Sequence, residues 1–587
     1  MPLLKTIADA VDGYNASVET EVERVRHDAN AGREVMDRWR EANAKVGTVT
    51  TPTGVELPRV ALPFLDEPGS VARFLGEEGL PGEFPFVSSA YREMYLEPDT
   101  SRNGHKKVEE PTRLFAGLGL AEDTNARFHY LTKHQRSARL STAFDGPTLY
   151  GVDSDHDGVA GKVGEGGVAV DTVDDMVRLY DGFDLDQDVS VSMTINGPAP
   201  TILAMYVAAA KRRFGEGVVG KLRGTIQADV LKEVQAQNEC LFPVDASLRF
   251  LADMAEFTTA HMPRFYPISI SGYHIAEAGA TPVQQAAYTL SNGFAYVELF
   301  KGRGMDLEQF APRLSFFLDC GLEVEYWALA RVCRKIWAIG MRDCFAASER
   351  GQRFKLHTQT SGRSLIAAEF KNNLTRTAVE ILMACANATN SVHSNSADEP
   401  FTTPGEEYVR LAAHAQSILL EESGLFRHMM NTVPGGPGMR AVEKAVEAGI
   451  LAEFREIDRL GGVIEACEQR YQRSQIQAAA HRLETQIYDG TRPIIALNRY
   501  ADNDAAEDGE MEMARTPAAK QQQQIERVRA FKNEHQSEAG PALDRLEKVV
   551  EAGGNVFAEL LDTVEVCTLG QITERLHEVS GHYRPTV

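Results

Sequence analysis

The chemistry-bearing residues of this 587-residue chain gather at the ends of short apolar runs. One run closes on Gly272-Tyr273-His274. An imidazole there can donate a hydrogen bond to a carbonyl oxygen and stabilise charge developing on it. Three further ends are polar: Thr225-Ile226-Gln227, Arg313-Leu314-Ser315 and Thr358-Gln359-Thr360-Ser361. One polar strand end, or one lone histidine, is ordinarily structural; four together point to a site that reads a ligand by hydrogen bonds. Other chemistries are poorly served. No serine or cysteine sits in a nucleophile motif with a base, and no two-histidine metal pattern occurs. Asp153-Ser-Asp-His-Asp-Gly158 imitates half a calcium loop, but Gly164 stands where a bidentate glutamate is needed, so an Asp-rich turn is expected. The glycines from Gly161 to Gly167 lack a Gly-Lys-Ser/Thr ending and serve turns or close backbone approach. From spacing alone, the chain is an enzyme with a polar mouth.

The elements that would position these groups follow an alternating rhythm. Short β-prone runs occur at Leu140–Phe144, Val189–Ile195, Leu222–Gln227, Tyr266–Ser271, Phe294–Leu299, Leu314–Phe317, Phe354–Gln359 and Ser391–Ser394, with helical stretches between them. Eight such repeats predict an α/β protein with a (β/α)₈ TIM barrel, whose strand carboxyl ends converge on one mouth. An open doubly wound sheet is disfavoured, because no Gly-x-Gly-x-x-Gly follows the first strand.

Around the barrel, residues 1–110 read as an amphipathic helix and an irregular, Pro- and Gly-punctuated arm that wraps a partner or ligand. Residues 111–425 form the barrel, and 426–587 a helical region with a polar linker from Asp502 to Gln524. With 61 basic and 84 acidic residues, net charge −23, the chain is no nucleic-acid binder, although a local basic pocket remains open. The start lacks a signal peptide's apolar core, and no stretch is long and apolar enough to cross a membrane. Seven dispersed cysteines without zinc spacing fit a reducing, cytoplasmic setting and read as small core residues.

Four segments, Arg223–Glu233, Ile268–Ala280, Ala311–Phe317 and His357–Gly362, strongly resemble the methylmalonyl-CoA mutase family, and the likeness runs from about Gly82 to the C-terminal helices. The resemblance implies a barrel threaded by an acyl-CoA, with adenosylcobalamin across its mouth and a radical 1,2-migration of the thioester carbonyl group. It implies that His274 and Gln227 meet the thioester carbonyl and that Tyr273 lies between substrate and cofactor. Arg113, Thr225, Arg313, Ser315 and Gln359 would line the substrate, and Asn395 and Glu399 would hold the adenosyl ribose. The family's Asp-x-His-x-x-Gly cobalamin motif is missing. The resemblance therefore implies the large subunit of a split mutase, with a cobalamin-binding small subunit supplying the cobalt ligand in a heterotetramer of two large and two small chains.

By the same resemblance, the tyrosine and arginine that hold a substrate carboxylate are replaced here by Phe115 and Gln237. Glutamine cannot neutralise a buried carboxylate, so a neutral acyl group is expected. The pair resembles isobutyryl-CoA mutases, which exchange isobutyryl-CoA and n-butyryl-CoA. Alternatives are 2-hydroxyisobutyryl-CoA, for which Phe115 and Ala143 are the wrong residues, pivalyl-CoA, and a non-catalytic acyl-CoA-binding subunit. Leu149, Arg363 and Asn390 depart from the family pattern, and Lys106 or Lys107 would replace a CoA-contacting arginine.

Overall fold

The computed structural model describes residues 2–95, 113–133, 138–427, 429, 436–501 and 515–584. Lys106, Lys107 and residues 502–514 of the polar stretch thus lie outside the described residues. The predicted N-terminal helix is two helices, Leu3–His27 and Ala29–Lys45, divided at Asp28, whose carboxylate accepts from Asn30 N at 2.8 Å. Leu4, Ile7, Ala8, Val11, Val18, Val22 and Val25 form the buried stripe of the first. A short antiparallel hairpin follows, β1 (Thr48–Thr50) and β2 (Glu56–Pro58).

Among the described residues, nine further strands are parallel: β3 (Leu114–Ala116), β4 (Arg139–Ala143), β5 (Ser190–Thr194), β6 (Arg223–Ile226), β7 (Arg264–Tyr266), β8 (Ile268–Ser271), β9 (Leu314–Cys320), β10 (Leu356–Thr360) and β11 (Ser391–His393). They form two sheets, ordered β3-β4-β5-β6-β7 and β11-β10-β9-β8. Pro267 separates β7 from β8; with no N–H to give the ladder, it ends one sheet and starts the other. The sheets meet on both sides: Ser269 N donates to Gln227 O at 3.0 Å, and Arg113 N donates to Val392 O at 2.9 Å.

Two corrections concern the strands. Phe294–Leu299 is no strand but part of the helix Pro282–Gly302, started by a capping box between Thr281 and Gln284. That helix is buried on most of its faces, so its apolar run cannot be told from a strand by periodicity. The missing strand is β3, three residues long and too short to show alternation.

A third correction concerns the linker. Gln521–Gln524, read as solvated, lies within the helix Ala518–Glu534. Gln524 is fully buried and donates to Asp171 Oδ2 at 2.7 Å and Asp175 Oδ2 at 3.0 Å. The Asp-rich turn binds the same helical layer: Asp153 accepts from Thr568 Oγ1 at 2.6 Å and Gly570 N at 2.7 Å. Among the described residues, no group of His, Cys, Asp and Glu could hold a metal, and no helix is long and apolar enough to cross a membrane.

Candidate active site

Strand alternation creates the site. In β5, Val191 and Met193 are buried while Ser190, Ser192 and Thr194 face the opposite side. Gly224 and Ile226 of β6 are likewise buried and Arg223 and Thr225 are not; β10 buries Leu356 and Thr358 but not His357 and Gln359. Small hydroxyl side chains thus occupy the face where bulky apolar ones would fill a core. The result is a cavity of about 1680 Å³. Gly224 shows how tightly the strands are drawn together, since a Cβ there would meet Val191 O at 1.9 Å.

The cavity begins at the N-terminal arm, beside Arg38, Lys45 and Arg92. It passes Arg113, Arg139, Arg223 and Lys355 at the amino ends of the strands, then runs between Ser192, Thr225, Ser269, Ser315 and His357 to Gln227 and Phe317. Arg113 donates to Ser192 Oγ and, at 3.1 Å, to Ser190 Oγ; burial, helped by Arg139, pushes it down to about 9, so it stays charged near neutrality. Lys355 is pushed down to about 8 by burial and then by Arg350, Arg353 and Arg313.

At the strand carboxyl ends, Phe317 joins the cavity to a polar cluster. It stacks on Tyr273 at 5.0 Å and meets His274 edge-on at 5.9 Å. His274 Nδ1 pairs with Ser271 Oγ at 2.8 Å, and Asp229, fully buried, accepts from Ser271 N at 2.7 Å and Tyr296 OH at 2.6 Å. Burial, then the charge of Lys232, holds His274 well below the usual histidine range, so the ring is neutral. A Ser271 hydroxyl that donates to Nδ1 would leave the ring proton on Nε2. Asn196 ties the parts together, donating to Gln227 Oε1 at 3.0 Å and accepting from Asp229 N at 3.0 Å. Gln359 Nε2 donates to Tyr273 OH at 3.0 Å and Asn395 Oδ1 at 2.8 Å. Burial and the carboxylates of Glu277, Asp319 and Glu399 keep the Tyr273 phenol protonated.

Of the predicted residues, Arg113, Phe115, Thr225, Gln227 and Ser315 line the cavity, and Tyr273, His274, Gln359 and Asn395 cluster beside its inner end. Glu399 is exposed on the turn after Asn395. Arg313 is a correction: it precedes β9 rather than following it. Its guanidinium donates to the carbonyls of Thr258, Thr259 and Met262 at the C-terminal end of the helix Val244–His261. Gln237 does not line the cavity; it accepts from Lys232 Nζ at 2.7 Å and donates to Glu239 Oε1 at 2.9 Å. Arg363 pairs with Asp319 Oδ2 at 3.4 Å, and Asn390 Oδ1 accepts from Leu356 N at 2.8 Å. Sequence reasoning missed Ser192, Ser269, His357 and Phe317; the polar, every-second-residue pattern of Ser190-x-Ser192-x-Thr194 was the available signal.

Parallel sheets enclose a long cavity that is cationic at one end and adjoins the Tyr273–His274 cluster, through Phe317, at the other. The chain belongs to the methylmalonyl-CoA mutase family, whose model matches residues 66–582. It is 44% identical to a fused isobutyryl-CoA mutase of Geobacillus kaustophilus over 94% of this chain and 54% of the relative. A fused isobutyryl-CoA mutase of Cupriavidus metallidurans is 41% identical over 99% of this chain and 55% of the relative. The 2-hydroxyisobutanoyl-CoA mutase large subunit of Aquincola tertiaricarbonis is 36% identical over 87% of this chain and 89% of that protein. The chain spans about half the length of the fused relatives it matches. Their name corrects the expectation of a separate cobalamin-binding small subunit in a two-plus-two heterotetramer: these relatives at 41–44% identity are fused, single-chain mutases.

Proposed function

We propose that this chain is the acyl-CoA-binding part of an adenosylcobalamin-dependent mutase that exchanges isobutyryl-CoA and n-butyryl-CoA by moving the thioester carbonyl group to the neighbouring carbon. In this reading the two sheets are arcs of one closed (β/α)₈ barrel, supported by the hydrogen bonds that join them on both sides. The observation that carries the reading is the cavity itself. Its cationic end suits the phosphates of CoA, and its hydroxyl-lined middle suits an amide-bearing chain. Its inner end would offer a thioester oxygen the neutral His274 N–H, with Gln227 beside it.

The acyl wall is uncharged. Phe115 packs edge-on against His393 at 4.7 Å and near His357 at 5.8 Å. Burial pushes His393 down to about 4, and burial with Arg113 holds His357 well below its usual range. A carboxylated acyl group would lose its water here without gaining a cation. A hydroxylated one would need a polar partner where Phe115 and Ala143 stand.

Residues at the strand carboxyl ends fit the adenosyl side of the cofactor: Tyr273, Gln359 and Asn395 cluster there, and Asp319 Oδ1 is buried with no donor among the described residues. Adenosylcobalamin supplies a carbon-centred radical when bound. The chain's own residues orient the thioester through His274, hold that ring through Ser271 and Asp229, and exclude water with the Tyr273–Phe317 stack. The test is incubation of the adenosylcobalamin-loaded holoenzyme with isobutyryl-CoA. Formation of n-butyryl-CoA is expected; no isomerisation across a panel of short acyl-CoAs contradicts the reading.

A further inference from the structure

We propose that Asn196 is a positioning residue: it turns the Gln227 carboxamide so that its nitrogen, not its oxygen, faces the ligand's carbonyl. The inference rests on the acyl-CoA reading above. It starts from a group whose role is fixed, a backbone N–H. Asp229 N can only donate, so the Asn196 atom that meets it at 3.0 Å must be the oxygen. Asn196 therefore points its amide nitrogen at Gln227, and the Gln227 atom that receives it at 3.0 Å must again be the oxygen. What remains for the ligand is the Gln227 nitrogen, on a side chain that lines the inner part of the cavity. Among the described residues, no group accepts from that nitrogen.

The backbone is shaped to hold this relay. Gln227 N donates to Met193 O at 3.0 Å and Ala228 N to Ile195 O at 2.9 Å, which fastens the end of β6 to the end of β5. Ala228 then takes φ +50°, a left-handed conformation that alanine adopts at a cost. The next N–H, that of Asp229, is the one that meets the Asn196 side chain. Asn196 is 6% exposed and Gln227 3%, so a flipped amide would set N–H against N–H in a place where the mismatch is expensive. Asp229 also serves the other half of the site: its carboxylate accepts from Ser271 N, beside the Ser271–His274 pair. Gln227, through Asn196, and His274, through Ser271, are thus held from the same residue. A ligand atom that meets the Gln227 nitrogen must be an acceptor, which a thioester carbonyl is and a thioether methylene is not.

The test compares butyryl-CoA with S-butyl-CoA, the thioether in which a methylene replaces the carbonyl, by calorimetry on the full chain. The infrared carbonyl band of bound, isotope-labelled butyryl-CoA is the second readout. Wild type should favour butyryl-CoA and lower the band below its position in the free ligand, because an accepted hydrogen bond weakens the C=O bond. Asn196→Asp carries only acceptors, so it still takes the Asp229 N–H but draws the Gln227 nitrogen toward itself. It should cut the preference about tenfold and return the band toward its free position, with S-butyl-CoA affinity unchanged. Gln227→Met, which has no N–H, should do the same, and combining the two should add nothing further. Asn196→Ala frees the Gln227 amide without adding charge; it should move both readouts the same way, and it decides the question if Asn196→Asp does not fold. An unmoved band and an unchanged preference in the Asn196 variants overturn the inference while leaving the acyl-CoA reading intact. An equal loss of both ligands with the band unmoved marks a structural role and overturns it as well. Wild type that binds neither ligand overturns the acyl-CoA reading, and this inference with it.

Discussion

Tyr273 lies flat on Phe317, with ring centroids 5.0 Å apart and planes inclined by 3°. Phe317 in turn lines the cavity and stacks with Phe115 at 6.4 Å. One aromatic column therefore joins the proposed acyl wall to Tyr273, the residue proposed to lie between substrate and cofactor. Tyr273→Phe keeps the stack and loses the hydroxyl's contacts with Gln359 and Asn395, so unfolding in urea should change by about 1 kcal/mol. Phe317→Ala breaks the column and should cost about 3 kcal/mol. Equal losses in the two variants would show that the stack does not organise the site.

Lys355 makes ligand affinity depend on pH. A base pushed down to about 8 is charged below that pH and neutral above it. Affinity for CoA, measured by calorimetry, should therefore weaken as pH rises from 7 to 9. Lys355→Arg keeps its charge over this range and should flatten the profile. A wild-type profile already flat would remove Lys355 from the ligand's surroundings.

His274 gives the opposite pH result. Its ring is held neutral by burial and by Lys232, so lowering the pH from 8 to 6.5 leaves its protonation unchanged. NMR of the imidazole nitrogens should show no titration in that window. His274→Ala should lower turnover by about 10²-fold or more with little change in affinity for CoA. Ser271→Ala, which frees the ring, should lower turnover less.

The C-terminal helical layer is pinned by Gln524 between two buried acids. Burial raises both Asp171 and Asp175 above the usual carboxylate range, so the folded state favours their protonated forms. Gln524→Glu adds a third acid and should destabilise the fold at pH 7 by about 1–3 kcal/mol. Because the folded state holds more protons than the unfolded one, the deficit should shrink as pH falls from 7 toward 5. Urea unfolding at both pH values measures it.

The strands of the site were legible in the sequence where they are long enough to alternate, as in Val189–Ile195. The failures have physical causes. Phe294–Leu299 is apolar because its helix is buried nearly all round, and β3 is too short to carry a pattern. Motif resemblance singled out His274, Tyr273 and Gln227, which lie at or beside the inner end of the cavity, but it could not show that Arg313 faces helix carbonyls or that Gln237 is engaged at both ends. Those facts depend on neighbours distant in sequence or on a local turn, and no spacing rule encodes them. Gln521–Gln524 misled for a related reason: a polar run reads as solvated until two buried carboxylates are known to face it.

The most direct measurement is a structure of the protein with isobutyryl-CoA bound. The account predicts the nucleotide end beside Arg113 and Lys355, with the thioester oxygen about 3 Å from His274 Nε2 and the acyl tail against Phe115. An acyl-CoA bound in the reverse direction, or wholly outside the cavity, would contradict it.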